Sequence, residues 1–255
     1  MKLSVLASGS SGNCYYIENK SSAVLVDAGI SCKQIRERLA DLGKSSEKIK
    51  GIFVTHEHTD HIRGIDVFAR THNVPIFATQ DTINHSFLCS NNSLINPIKN
   101  NGLVKLAGME IQAFSKSHDA SDPVSFTISN GKKISIITDI GQVCPRVIEH
   151  VSSSDLLCLE SNHDELMLDQ GPYPYYLKKR IKSDKGHLSN IQAGLCCLEH
   201  ANPHLKHVIL AHLSKTNNTP ALAFQTFTNL MKERSDLKPK VHISNREFAT
   251  DLFKI

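Results

Sequence analysis

The sequence predicts a layered α/β (α+β) fold, laid out as a single domain over residues 1–255. Three observations predict it. Short apolar runs of strand length recur along the chain, and segments with helical apolar spacing fall between them. No linker, low-complexity tract or short-period repeat divides the sequence. A chain of this length can bury a large core. Its 40% hydrophobic and 21% charged residues are the balance of a folded protein rather than a disordered one.

The elements follow in order. Leu3 to Ala7 reads as a strand, the run from Ser8 to Asn13 as a Gly/Ser-rich turn, and Cys14 to Ile17 as a second strand. Ala23 to Asp27 is a third, ending in a carboxylate. Ile30, Ile35, Leu39 and Leu42 keep helical spacing, and Gly43 supplies a stop. The strand Gly51 to Thr55 comes next, then helical spacing at Ile62, Ile65, Phe68 and Ala69, a break at Asn73 and a strand from Val74 to Ala78. The middle is strand-rich: Glu110 to Ser115, Val124 to Ile128, the hairpin signal Asn130-Gly131, and Ile134 to Thr138. Asp155 to Glu160 and His207 to Ala211 flank a polar, helix-bearing segment. Thr219 followed by Pro220 is an N-cap and first-turn pair for a helix through Met231.

Several function classes are excluded. The N-terminus lacks an apolar h-region and is read as carrying no signal peptide. No apolar stretch has the length of a membrane span. Seven scattered cysteines without a C-x-x-C pair argue against a disulfide framework or thiolate zinc knuckle and fit a reducing cytoplasm, and Cys14, Cys144 and Cys158, beside motif segments, are read as packed thiols. The turn from Ser8 to Asn13 lacks the Gly-Lys-Ser/Thr ending of a P-loop, so no nucleotide cofactor is expected. A formal charge of +4 permits an anionic partner without requiring one. Fourteen histidines are more informative, because several stand beside carboxylates at the ends of apolar runs.

The decisive stretch is Thr55-His56-Glu57-His58-Thr59-Asp60-His61, between a short apolar strand and a helical pattern. Residues two apart in an extended or turning backbone project to the same side. His56 and His58 can therefore bind one cation, while Asp60 and His61 can reach a second. Imidazole and carboxylate donors suit Zn²⁺ or Mn²⁺, and Fe²⁺ as well. Two divalent metal ions are the expected cofactors.

This motif resembles the signature of the metallo-β-lactamase superfamily. The resemblance implies a four-layer αββα sandwich and three more strand-end ligands. His118, Asp139 and His212 stand in the matching places, with His187 a competitor for the last. The implied set is His56, His58 and His118 for one metal, Asp60, His61 and His212 for the other, and Asp139 between them. Asp27 resembles an early strand-end aspartate that orients a ligand histidine rather than binding metal. Ser10 and Asn13 are expected to line the cleft.

Further stretches resemble one branch, the YycJ/WalJ-type (VicX-like) proteins: Ala7 to Asn13, Ser117 to Ala120, Leu159 to Asp164, Gly186 to Asn190 and Leu210 to Asn218. That resemblance implies a metal-dependent nuclease with 5′ to 3′ exonuclease action on duplex DNA. Gly186-His187-Leu188-Ser189 is also similar to a segment of transfer-RNA-processing relatives in which a histidine, paired with a distant glutamate, assists the leaving group. His187 is then the expected proton donor, Glu160 its orienting partner, and Asp60 the group that steadies the attacking water. Lys178, Lys179, Arg180, Lys182 and Lys185 form a cationic run that can receive a phosphate backbone or simply be a solvated helix face. The metal motif alone serves a thioester or lactone hydrolase equally well, and a non-catalytic metal protein is a third reading. A β-CASP ribonuclease would need an inserted domain for which there is no room. Oligomeric state is left open.

Overall fold

The computed structural model describes residues 1–255 and resolves into two compact units interleaved along the chain. The first comprises 1–115, 120–131 and 245–255, and the second 116–119 and 132–244.

The first unit begins as an antiparallel meander of β1 (Lys2–Ala7), β2 (Cys14–Asn19) and β3 (Ser22–Val26), with Leu3 opposite Ile17 and Tyr16 opposite Leu25. From β3 onward pairing becomes parallel. Parallel neighbours require a crossover, and α1 (Cys32–Asp41) provides it before β4 (Ile49–Phe53). Ser31 caps α1 through a capping box: its hydroxyl accepts from the Gln34 amide, and the Gln34 side chain accepts from the Ser31 amide. Gly43, at φ 66°, ends the helix in the left-handed conformation expected of that residue.

Beyond β4 the single helix read from the periodicity is two, α2 (Thr59–Ile62) and α3 (Ile65–His72), broken at Gly64. The reason is local. The Gly64 amide donates to Ala28 O, and a Cβ at Gly64 would stand 2.0 Å from Ile30 O, so backbone occupies the space of a side chain. Asn73, at φ 49°, terminates α3 as expected. Then follow β5 (Ile76–Thr79), α4 (Gln80–Asn84) and β6 (Ile95–Ile98), which complete the parallel part of the sheet. β7 (Leu103–Leu106), β8 (Met109–Ser115) and β9 (Val124–Ser129) pair antiparallel in sequence. Ile35 and Leu39 of α1 and Ile65, Phe68 and Ala69 of α3 are buried in one cluster with Leu25, Ile52 and Ile76 of the sheet.

The second unit is built on a parallel set, β10 (Lys133–Ile137), β11 (Leu156–Glu160), β12 (His207–Ala211) and β13 (Lys240–Ile243), each in register with the next. β10 to β12 are buried along almost their whole length, which explains why they read as continuous apolar runs rather than alternating ones. The crossovers are α5 (Pro145–Ser152), then α6 (Glu165–Gln170), α7 (Tyr175–Ile181) and α8 (Asn190–His200), then α9 (Pro220–Met231). Thr219 caps α9, accepting from the Leu222 amide, with Pro220 in the first turn. The chain then returns to the first unit, where β14 (Phe253–Lys254) adds to β1.

Candidate metal centre

In the first unit, the H-x-H-x-D-H run lies where β4 gives way to α2. β4 stops at Phe53, two residues before the expected end. Thr55 leaves the strand because its amide donates to Asp27 Oδ1 at 2.8 Å instead of to a neighbouring strand. Asp27 is fully buried and held at φ 57°, a conformation costly for a residue with a Cβ. Its Oδ2 accepts from the Thr55 hydroxyl and lies 2.8 Å from His61 Nδ1. The Thr55 hydroxyl is also 2.9 Å from His56 Nδ1. Both imidazoles are thereby gripped at Nδ1, which sets Nε2 and its lone pair on the far side of the ring towards the other candidate donors, as a metal-ligating histidine requires.

His56 Nε2 and His58 Nδ1 are 3.1 Å apart, and His61 Nε2 and Asp60 Oδ2 are 3.5 Å apart. Two donors on one ion at metal–ligand distances near 2.0–2.1 Å in a tetrahedron stand about 3.3 Å from one another. Each pair fits a shared cation. Glu57, the intervening acid, is turned away: its Oε1 accepts from the Ser121 amide and hydroxyl. Burial raises its carboxyl, but those hydrogen bonds outweigh it and hold the group below the ordinary range.

Asn13 explains the role of the Gly/Ser-rich turn. Fully buried, its Nδ2 lies 3.1 Å from Asp60 Oδ2 and from His61 Nε2, and its backbone amide donates to Asp60 O. A Cβ on Gly29 would come within 1.6 Å of Asp60 O. Only glycine lets these backbone segments pass so closely. Ser10 makes no comparable contact and is exposed.

In the second unit, His118, Asp139, Glu160, His187 and His212 come from separate strand ends and loops. Asp139 and His212, following β10 and β12, share with Asp27 the left-handed backbone, at φ 56° and 55°. Glu160, at the end of β11, is fully buried. Its Oε2 accepts from the amides of Ile140 and Leu188, while Oε1 lies 2.8 Å from His187 Nδ1 and 3.0 Å from His212 Nδ1. Burial alone would raise its carboxyl; the charge of His187 and the hydrogen bonds from both imidazoles outweigh burial and hold it well below the ordinary range.

One carboxylate therefore orients both histidines that competed for the last ligand place. His212 Nε2 faces Asp139 Oδ1 at 3.4 Å, whereas His187 reaches that oxygen only through Nδ1 at 4.0 Å. His212 thus presents Nε2 to Asp139 while Glu160 holds its Nδ1, whereas for His187 the Nδ1 that Glu160 holds is also the atom that comes within 4.0 Å of Asp139. Asp139, Glu160, His187 and His212 bring donor atoms within 4.8 Å of one another. His118 is buried with Nδ1 3.3 Å from Gly186 O. Burial lowers its imidazole to about 4, so it is neutral at pH 7 and has a lone pair to give.

A buried amide network not anticipated from the sequence fixes these loops. Asn190 and Asn218 pair side chain to side chain, and Asn218 Nδ2 also donates to Ser161 O and Asn162 O. Asn162 Nδ2 in turn donates to His212 O at 2.9 Å. All five residues fall in stretches that carry the family resemblance, but spacing gives no sign that they meet. The cysteines are free and none pairs.

The sequence pattern of the metallo-beta-lactamase superfamily matches residues 7–114. The chain is 37% identical to the Exodeoxyribonuclease YycJ of Bacillus anthracis over 92% of its own length and 90% of that protein. It is 37% identical to the Exodeoxyribonuclease WalJ of Streptococcus pneumoniae, over 100% of this chain and 98% of the relative. The metallo-beta-lactamase fold protein YhfI from Bacillus subtilis superposes with a TM-score of 0.71 at 15% identity, covering 98% of each chain. The chain belongs to the metallo-β-lactamase superfamily and, within it, to the YycJ/WalJ branch. Its α/β metallo-β-lactamase fold is the one expected from the sequence, and its His and Asp clusters suit divalent metal ions. No helix is long and apolar enough to cross a membrane.

Proposed function

We propose that this protein is a metal-dependent exodeoxyribonuclease. The observation that carries the reading is full-length identity of 37% to relatives named exodeoxyribonucleases, joined to ligand-oriented imidazoles and carboxylates at the positions the family motif requires. The metal set is His56, His58 and His118 with Asp60, His61 and His212, and Asp139 between them. It is supported by the donor spacings within each unit and by the family pattern. Zn²⁺ and Mn²⁺ are the proposed ions, in a pair, DNA is the proposed substrate and the cytoplasm the proposed compartment. A 5′ to 3′ polarity is proposed from the resemblance of the motif stretches alone, and residues 1–255 are proposed to act as one functional domain.

When bound, the divalent ions lower the pKa of water and offset the phosphate's negative charge. The protein's own residues do the rest. Asp60, partly exposed beside Asn13, steadies the attacking water by accepting a hydrogen bond. His187, 22% exposed at its side chain, holds a proton on Nε2 for the departing oxygen, while Glu160 grips Nδ1 and sets the ring's direction. Glu160 itself is enclosed and acts through the two histidines. The thioester or lactone alternative has no comparable support. The test is hydrolysis of linear duplex DNA by purified protein with added Mn²⁺ or Zn²⁺. Loss of cleavage in Asp60→Ala supports the reading, and undiminished cleavage refutes the assignment.

A further inference from the structure

Tyr175 and Tyr176 open α7 and are 81% and 74% exposed. Two adjacent aromatic rings in water forgo the burial that usually makes such residues worth having. Beside them lies an open pocket of about 630 Å³ lined by Asp169, Tyr175, Lys178, Lys179, Lys182 and Ser183. Three ammonium groups thus face one carboxylate. Lys182 pairs with the Asp169 carboxylate, while Lys178 donates to the Asp169 backbone carbonyl and shares that one carboxylate's field. Helical spacing sets Lys178 and Lys179 one turn beyond Tyr175, so ring and cations share a face.

This face is tied rigidly to the chemistry of its unit. The His187 amide donates to Ile181 O, and Gly186 packs so tightly on the end of α7 that a Cβ would lie 2.1 Å from Ile181 O. Arg180 binds Asp119, the neighbour of His118, and Ser117 Oγ donates to Asp184 O. A ligand on α7 would be held at a fixed position relative to His187 and His118.

We infer that α7 is a landing platform for a single-stranded DNA end, with Tyr175 and Tyr176 stacking on bases and Lys178, Lys179 and Lys182 taking phosphates. Two exposed aromatic faces with a group of cations one turn beyond them suit a strand whose bases can stack while its phosphates meet the ammonium groups. An uncharged apolar partner would leave the ammonium groups unmatched, and an acidic one would leave the two rings without bases to stack on. The inference deepens the nuclease reading and rests on it.

The experiment measures binding of a fluorescent thymidine oligonucleotide by anisotropy, in EDTA, across a series of salt concentrations. Tyr175→Ala/Tyr176→Ala should weaken binding by roughly tenfold per ring at unchanged salt slope. Lys178→Gln/Lys179→Gln should weaken it and reduce the slope of log K against log salt by about 1.4. Oligonucleotide binding by both variants equal to wild type would overturn the platform, as would loss in the lysine variant alone. Tighter binding to phosphatidylserine vesicles, abolished by the same substitutions, would also overturn it. Wild-type turnover of bis(p-nitrophenyl) phosphate tests the phosphodiesterase reading separately, because that substrate is too small to need a platform. Thermal melts of the exposed-site variants check that the fold is retained.

Discussion

The two units present their ligand-type residues in contrasting ways. In the first, four candidate ligands fall within six consecutive residues, so a single turn from β4 into α2 delivers them all. In the second, every candidate comes from a different strand end or loop, and the set exists only once β10, β11 and β12 are aligned in register. Each unit nevertheless uses the same device, a wholly buried carboxylate behind the imidazoles. Asp27 holds His61 and Thr55, and Glu160 holds His187 and His212. The difference lies in load: Glu160 orients two histidines, Asp27 one directly and His56 only through a hydroxyl.

The largest effect should come from removing a proposed ligand on either side. His61→Ala and Asp139→Ala should each lower kcat/KM on duplex DNA by about 10³-fold or more, since metal assistance contributes several kcal/mol at the transition state. Equal losses would mean that the compact and the dispersed sets matter alike. A silent Asp139→Ala would break the comparison.

Removing a supporting carboxylate should cost less, within the range of about 10–100-fold typical of groups that orient ligands. Glu160→Gln should fall at the upper end, because it disturbs two imidazoles, and Asp27→Asn at the lower end. Steady-state kinetics together with metal titration would read both. The reverse ranking would show that Thr55 and Asp27 carry more of the site than their contacts suggest.

A smaller effect follows pH and weighs more on the second unit, although burial also lowers His72 in the first. In the second unit, burial lowers His150 and His163 to about 4. The unfolded chain, with histidine near 6.5, then binds more protons between those values. Stability from this source is therefore complete above pH 6.5 and is lost as pH falls toward 4. For His150, 5% exposed, the loss at pH 5 is on the order of 2 kcal/mol. His150→Gln should flatten the fall in Tm between pH 7 and pH 5 in thermal melts, and an unchanged slope would contradict this.

The same contrast explains what could be read from the sequence. The H-x-H-x-D-H run was legible because its candidate ligands are neighbours, and α9 because Thr219-Pro220 announces its start. β12, from His207 to Ala211, was recognisable as an apolar run of strand length. The helix break at Gly64 was not legible, since its cause is the backbone at Ala28 and Ile30, far away in sequence. β6, β7, β13 and β14 are short and only partly buried, and β6 contains Pro97, so their apolar signal is weak. His118, Asp139 and His212 could be named only through family likeness. That Glu160 serves His212 as well as His187 follows from strand register, which no local pattern encodes.

The most direct measurement is metal content. After loading with Zn²⁺ or Mn²⁺ and desalting, the wild-type chain should carry about two ions by elemental analysis. His61→Ala and Asp139→Ala should each carry fewer, with nuclease activity lost in proportion. A wild-type chain that retains no divalent ion yet digests DNA, or an Asp139→Ala chain that keeps its full complement, would contradict the account.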